Sequence, residues 1–219
     1  SRDRGVFLDK TWRLDPKICT FISEEFYQGR LDPVESIDRK ISDRENGLYW
    51  VPVPHDDEDP SVDENRKEAE KIVEIISSLL GSSEFIEDKE RRPLAIEDFM
   101  VVAPYNRQRR QIRKILENKL GKDSSTVDGI VGTVDKFQGK QAPIVFYSLT
   151  TSNHDHVPKG REEFLFSPNR LNVAISRAQC MAFLVGSEAL IDAQANSISQ
   201  MEALNHYCRY VDDLSSAWS

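Results

Sequence analysis

Arginine, amide and aromatic side chains are the residues of this 219-residue chain whose types and spacing could do chemistry. They fall in three groups of segments: Thr11–Pro16, Val101–Gln108, and the pair Gly132–Gly139 and Arg170–Ala178. An always-charged guanidinium, a hydroxyl or an amide can hold phosphate oxygens, and an aromatic face can stack on a base. These segments are therefore the candidate functional residues.

A loop that cradles phosphates does not accompany them. Such a loop reads G-x-x-x-x-G-K-[ST], with backbone amides around the phosphates and a hydroxyl on magnesium. Gly139-Lys140 comes nearest, but Val134 stands where the first glycine belongs and Gln141 where the hydroxyl belongs. The acidic loop at 55–59 resembles a magnesium-binding strand end, but prolines break its strand and a solvated loop is the better interpretation. We therefore expect no metal site and exclude a free-standing kinase or ATPase.

Buried strands must position these residues. Short continuous apolar runs predict parallel strands at 99–103, 144–149 and 181–185. Helical patterns alternate with them, which is typical of a parallel sheet with helices on both faces. Because ligands in such folds lie at the carboxyl ends of strands, we expect the candidate residues to gather at that edge.

The helices have recognisable ends. Asp15-Pro16 predicts the cap and first turn of a helix that Gly29 closes, and Ser61 with Glu64 predicts a capping box for a helix ending at 81. A basic helix is predicted from 105 to 121, and a mostly helical stretch from 187 to about 211. Residues 31–60 are polar and irregular, with one short strand at 47–53.

Composition limits the class of protein. With 39% hydrophobic and 30% charged residues, residues 1–219 suit a single soluble α/β domain. No apolar run approaches the roughly 20 residues that span a bilayer, so no membrane contact is expected. The abrupt start, without a signal peptide, suggests a fragment of a longer protein.

Cysteine usage and charge add two expectations. The three cysteines are far apart, so we expect neither a zinc site nor a disulfide framework, and a reducing, cytoplasmic setting. The net charge of −8 argues against holding nucleic acid by bulk charge, although a local binding strip remains compatible with it.

In order and spacing, the candidate segments resemble the C-terminal RecA-like domain of superfamily 1 DNA and RNA helicases. The matching stretches read W-R-L-D-P at 12–16, T-V-D-K-F-Q-G at 133–139 and R-L-N-V-A-I-S-R-A at 170–178. They look most like the branch that includes the nonsense-mediated-decay helicase and its bacterial relatives. The resemblance covers about residues 5–30 and 98–190, and it implies an α/β, P-loop NTPase-like sheet that lacks its own P-loop.

By this resemblance, Arg177 would be the arginine finger. A phosphoryl transition state spreads charge over its oxygens, and such fingers contribute on the order of 10³–10⁵ in rate. Arg13 would reach the γ-phosphate from the side opposite the P-loop, and Trp12 would stack on adenine. The alternatives are a salt bridge at a strand–helix junction for Arg177 and an aromatic cap over the next helix for Trp12.

Gly139 and Gln141 complete the nucleotide contacts that the resemblance implies. Relatives often carry glutamate where Gln141 stands, and that carboxylate accepts a hydrogen bond from the ribose. An amide oxygen accepts without charge, so we expect a weaker or relaxed ribose contact. Asp135 is predicted to link the nucleotide and nucleic-acid sides through hydrogen bonds, and Gln138 to brace the loop.

Tyr105, Asn106 and Thr133 lie where the family contacts single-stranded nucleic acid. A hydroxyl or amide can hold a phosphate without reading sequence, and an aromatic can stack a base for about 1–3 kcal/mol. The sequence leaves two interpretations open for the basic run that follows: it tracks the strand backbone, or it is a solvated helix face. The run consists of Arg107, Arg109, Arg110, Arg113 and Lys114.

The function implied is that of an ATP-dependent helicase or translocase on single-stranded DNA or RNA, moving 5′ to 3′. ATP with Mg²⁺ would bind between this domain and an N-terminal RecA-like domain of the same protein, which carries the P-loop and the magnesium carboxylates. The isolated chain is expected to be inactive. The alternative is a degenerate, non-enzymatic module that binds nucleic acid or protein. Arginines that face away from an open cleft at the carboxyl edge would contradict the motor interpretation.

Overall fold

The computed structural model describes residues 9–34, 38–54, 63–151, 167–191, 197–214 and 216–218. In chain order, its strands and helices are β1 (Lys10–Thr11), α1 (Pro16–Tyr27), β2 (Asp32–Pro33), β3 (Arg39–Ile41), β4 (Gly47–Pro52), α2 (Arg66–Ser82), β5 (Glu84–Glu87), β6 (Glu90–Pro93), β7 (Phe99–Val102), α3 (Asn106–Leu120), α4 (Ser124–Ile130), β8 (Val131–Gly132), β9 (Ala142–Ser148), α5 (Pro168–Ile175), β10 (Ala178–Gly186), α6 (Glu188–Ile191), α7 (Ile198–Arg209) and β11 (Ser216–Ala217).

A parallel sheet forms the centre of the described structure. Its six strands lie in the order β11-β4-β10-β9-β7-β8, and every neighbouring pair is parallel. Phe99 of β7 and Met181 of β10 both align with Ile144 of β9, so these three strands share one level. A small antiparallel sheet, β3-β5-β6, and the short pair β1-β2 lie outside it.

Two apolar layers cover the sheet, one on each face. Side chains alternate along β9, so that Val145 and Tyr147 join one buried cluster while Ile144 and Phe146 join the other. The first cluster includes residues of α1, α5 and α7, and the second includes residues of α2, α3 and α4. The predicted fold class, a RecA-like parallel sheet with helices on both faces, is confirmed.

The caps of two helices show where local prediction succeeded and where it failed. Asp15 caps α1 by accepting a hydrogen bond from the Lys17 amide at 2.9 Å, as predicted. The capping box predicted at Ser61 and Glu64 is wrong as a helix start. Instead, Asn65 caps α2 by accepting from the Glu68 amide at 3.0 Å, and the helix begins at Arg66. Ser61 itself and the acidic loop at 55–59 lie outside the described residues.

Candidate nucleotide and nucleic-acid sites

The residues predicted to contact nucleotide meet at the amino edge of the sheet, where β9 and β10 begin. Gln141 immediately precedes β9, and Arg177 immediately precedes β10. The Ala142 amide donates to the Arg177 carbonyl at 3.0 Å, so the two strand starts are held together. Arg177 reaches this position because α5 runs back along the sheet and delivers the chain to the start of β10.

Arg13 joins the same edge from the segment ahead of α1. Its Nε donates to Oε1 of Gln141 at 3.0 Å, and its backbone amide donates to Oγ1 of Thr11 at 3.3 Å. The Arg13 side chain is exposed. Gln141 therefore orients Arg13 in this structure, a contact that the predicted ribose role did not anticipate.

The guanidinium of Arg177 is partly buried and lacks a counter-charge. Its Nε is buried without a hydrogen-bond partner, and no carboxylate pairs with it among residues 9–34, 38–54, 63–151, 167–191, 197–214 and 216–218. Burial lowers the pKa of Arg177 below its usual value, and the charge of Arg13 lowers it further. Arg13 and Arg177 are neighbouring cations, and the unpartnered Nε of Arg177 can donate to an anion. The alternative interpretation of Arg177, a structural salt bridge, has no carboxylate partner among the described residues.

Trp12 and Arg13 line an open cleft of about 590 Å³. The Trp12 side chain is 61% exposed, so its ring is not packed over α1. Nη1 of Arg39 donates to the Trp12 carbonyl at 3.4 Å and holds the backbone there. The cleft wall carries both signs of charge; its other lining residues include Asp15, Lys17, Lys40, Arg44, Glu45, Asn46 and Gln179.

The residues predicted to contact nucleic acid lie at the opposite, carboxyl edge. Tyr105 caps α3 just beyond β7, Asn106 is the first residue of α3, and Thr133 follows β8. Val102 aligns with Gly132, and the amide of Ala103 donates to the Gly132 carbonyl at 3.1 Å. The ends of β7 and β8 are therefore neighbours, and the three predicted contacts share one surface.

The prediction that all candidates gather at the carboxyl edge is wrong for Arg177, Gln141 and Arg13. The physical reason is topological: Arg177 and Gln141 lie just before strands, and the starts of parallel strands meet at the amino edge. The general preference for carboxyl ends describes domains that hold their own ligand there. Arg13 nevertheless lines an open cleft, and Arg177 is only partly buried.

One segment, residues 133–141, connects the two edges. It leaves the end of β8 at Thr133 and enters β9 after Gln141, and the buried ring of Phe137 anchors it. Gly132 must lack a side chain, because a Cβ there would lie 2.6 Å from Cδ of Lys136 and 2.9 Å from the Phe137 ring. Gly139 adopts a left-handed conformation (φ 78°), which glycine tolerates without strain.

The two predicted coupling residues lie on this segment and are exposed. The Asp135 carbonyl accepts from the Gln138 amide at 3.2 Å, which closes a short 3₁₀ turn. In the described part of the chain, the Asp135 carboxylate has no hydrogen-bond partner. The hydrogen-bonded link that Asp135 is predicted to make between the two sides stays a prediction.

Sequence reasoning missed a buried polar network beneath the carboxyl edge. Oε2 of the fully buried Glu68 accepts from the Ser148 hydroxyl at 2.5 Å and from the Thr150 amide at 2.9 Å. Gln108 donates to Oγ of Ser148 and to the Asn65 carbonyl, each at 3.0 Å. Burial raises the pKa of Glu68 to about 8. The sequence signal was Asn65-x-x-Glu68, a spacing typical of a helix cap.

Two further findings bear on the kind of protein. No helix in the described residues is long and apolar enough to cross a bilayer. Nor do the described residues bring three or more His, Cys, Asp or Glu side chains together as a metal-binding group. Cys19, Cys180 and Cys208 are not joined in disulfide bonds.

The chain is a C-terminal RecA-like domain of the superfamily 1 helicase class, as its family model and its helicase relatives show. Helicase sen1 of Schizosaccharomyces pombe is 28% identical over 185 residues, which is 80% of this chain and 10% of that protein. The regulator of nonsense transcripts 1 homolog of Drosophila melanogaster is 25% identical over 202 residues, 87% of this chain and 16% of that protein.

A solved structure, the C-terminal domain of a possible DNA helicase from Lactobacillus plantarum, is 13% identical with a TM-score of 0.49; the match covers 94% of this chain and 98% of that one. The family model described as AAA domain matches residues 2–189, and this chain belongs to that family. The chain spans only about a tenth to a sixth of the two curated relatives named above.

Proposed function

We propose that this chain is the C-terminal motor domain of an ATP-dependent helicase or translocase that acts on single-stranded nucleic acid. The observation that carries the proposal is the pair of neighbouring guanidinium groups, Arg13 and Arg177, at an open edge, one of them with a buried, unpartnered Nε. The names of relatives support the same activity, since sen1 is called a helicase.

The residues at the amino edge would act on a triphosphate held by a second domain of the same protein. That domain would supply the P-loop, which this sequence lacks, and the carboxylates for Mg²⁺. When the cleft closes, Arg177 and Arg13 would place positive charge on the γ-phosphate as negative charge spreads over its oxygens. Trp12 would offer a base-stacking face, and Gln141 would keep Arg13 aimed at the phosphate.

The residues proposed to bind nucleic acid would respond to nucleotide binding through the segment 133–141. Because this segment runs from Thr133 at one edge to Gln141 at the other, a displacement at the nucleotide side can move the strand contact. Tyr105 and Asn106, beside Thr133, would hold the strand through a base face and a phosphate. Such closure is a two-state domain motion driven by the nucleotide.

A second candidate is a degenerate module that binds nucleic acid or protein without hydrolysis. One observation favours it: Gln141 is neutral and is already occupied by Arg13, which leaves the ribose contact weaker. The intact pair of guanidinium groups favours the motor. The finer expectations of a cytoplasmic setting and 5′-to-3′ movement stay predictions.

The test is the variant Arg177→Ala in the full-length protein. We expect strand-stimulated ATP hydrolysis to fall by on the order of 10³-fold, with ATP affinity nearly unchanged, because the finger acts on the transition state. Arg66→Ala is the control, because Arg66 lies on the surface of α2 in an ion pair with Glu70. Unchanged turnover in Arg177→Ala would remove the finger assignment and favour the non-enzymatic module.

A further inference from the structure

Helix α3 is strongly basic in an acidic chain. Its 15 residues hold six basic side chains and one acidic side chain, whereas the whole chain carries a net charge of −8. The basic residues therefore create a local positive surface that the mean charge hides. Such a surface attracts anions within a Debye length of about 8–10 Å.

Not every basic residue of α3 is available to a ligand. Arg107 pairs with Asp63 at 3.4 Å and Glu64 at 2.5 Å, ahead of α2. Arg109, Arg110 and Arg113 instead follow Asn106 at helical positions i+3, i+4 and i+7, so they continue the face on which Asn106 begins. We call these three arginines the basic stripe. With a rise of about 1.5 Å per residue, it extends roughly 10 Å from Asn106.

The stripe has more positive charge than its neighbours neutralise. Nη1 of Arg113 contacts Asp128 at 2.9 Å, and its Nη2 donates to the Val131 carbonyl at 3.0 Å. The Nε of Arg109, by contrast, is buried without a hydrogen-bond partner among the residues that the structure describes, and Arg110 is exposed. Burial and then the charge of Arg113 lower the pKa of Arg109. The cations therefore repel one another, which phosphate binding would relieve.

The position of the stripe indicates its ligand. It begins at Asn106 and faces the β8 side, where Arg113 reaches Val131 two residues before Thr133. Asn106 and Thr133, two of the three predicted contacts to nucleic acid, therefore flank the N-terminal end of the stripe. We propose that Arg109 and Arg110 bind successive phosphates of the single-stranded nucleic acid as it leaves the carboxyl edge. This inference rests on the proposed function, because it extends the same strand site.

The experiment compares three double variants of the full-length protein in binding to a fluorescent oligothymidylate over a series of salt concentrations. In Arg109→Ala/Arg110→Ala, the slope of log affinity against log salt should become about 1.4 shallower, since each single-strand phosphate contact contributes about 0.7. That change corresponds to an affinity loss of about 25-fold at about 0.1 M salt. Arg109→Lys/Arg110→Lys should keep the wild-type slope, because lysine retains the charge.

The control, Arg66→Ala/Lys71→Ala, removes two charges from ion pairs on α2 and should leave the slope unchanged. Thermal unfolding of each variant checks that it is folded. A wild-type slope in the Arg109/Arg110 alanine variant overturns the inference. The inference is also overturned if the same variant loses strand-stimulated hydrolysis at saturating oligonucleotide while its salt slope is unchanged. That result would mean that the stripe contacts another protein surface and not the nucleic acid. If the wild-type protein binds neither oligothymidylate nor oligouridylate of the same length, the strand site itself is refuted, and the proposed function with it.

Discussion

At the scale of single residues, the contact between Arg13 and Gln141 is the most informative feature of the amino edge. A hydrogen bond to a charged group contributes about 1.5–3 kcal/mol when buried, and less at an exposed site. Arg13 is exposed, so the bond acts mainly by limiting the directions in which the side chain can point. A pre-oriented guanidinium loses less entropy when it meets a phosphate.

We therefore expect Gln141→Ala to lower kcat/KM for ATP by about 5- to 10-fold in the full-length protein, because Arg13 is no longer held. Steady-state kinetics with saturating oligonucleotide measures this. Gln141→Glu should keep at least wild-type activity, since a carboxylate accepts the same hydrogen bond with added charge.

The double variant Arg13→Ala/Gln141→Ala shows whether the two residues act together. It should be no slower than Arg13→Ala alone, because Gln141 acts through Arg13. Additive losses would instead show that Gln141 contacts the nucleotide independently, as the resemblance to other helicases implied.

At the scale of elements, the Glu68 network ties α2 to the end of β9 and, through Gln108, to α3. Its carboxyl group accepts from Ser148 and Thr150, and Thr150 adopts a left-handed conformation (φ 73°) that β-branched residues rarely use. The network therefore holds a strained turn at the edge that carries Tyr105 and Asn106. A buried carboxyl of this kind should also make stability depend on pH.

The direction of that dependence follows from proton binding. The pKa of Glu68 is raised from 4.5 to about 8, so the folded protein keeps a proton that the unfolded chain releases. The stabilising contribution of protonated Glu68 is fully present below a pH of 4.5, and it is lost as the pH rises from there to about 8. Relative to Glu68→Gln, the wild-type free energy of unfolding should fall by about 1.4 kcal/mol per pH unit within that window.

Chemical denaturation of both proteins from about pH 5 to about pH 8 gives this difference. Glutamine is the matched variant because it mimics the protonated acid: its oxygen can still accept from Ser148 and Thr150. A difference in stability that is constant with pH would mean that Glu68 does not titrate in this range.

Much of the element pattern could be predicted from the sequence. Continuous apolar runs located β7, β9 and β10, because a strand covered on both faces needs no polar alternation. The hairpin β5–β6 was missed, because its turn at Asp88-Lys89 has two positive φ angles but no glycine or asparagine to signal it. Strand β8 was missed because two paired residues make no periodic pattern.

The candidate residues were also found from local motifs, but their arrangement was not. Gln141 and Arg177 precede the strands predicted at 144–149 and 181–185, so their place at the amino edge could have been predicted from the sequence. That they lie next to each other there depends on the pairing of β9 with β10, which no local pattern displays. The Glu68 network joins residues about 40 and 80 positions apart in the chain, so no local pattern displays it.

At the scale of the whole molecule, the two edges of the parallel sheet carry different groups of candidate residues. The amino edge carries Arg13, Arg177 and Trp12, whereas the carboxyl edge carries Tyr105, Asn106 and Thr133, which are proposed to contact single-stranded nucleic acid. The distance between them is bridged inside one chain, by residues 133–141. A phosphate-holding loop is missing from this sequence, and the proposed function therefore assigns the triphosphate and its magnesium to another domain.

The isolated 219-residue chain should therefore fold and yet hydrolyse no ATP above background. Folding is expected because apolar clusters bury both faces of the sheet within the chain itself. Circular dichroism with a cooperative melt checks the fold, and a phosphate-release assay with excess Mg²⁺ checks hydrolysis.

An Arg177→Ala chain, purified in the same way, separates contamination from activity. Turnover that persists in the variant comes from a contaminant. Turnover that Arg177→Ala abolishes would show that this chain holds a complete active site, and the division of labour between two domains would be wrong.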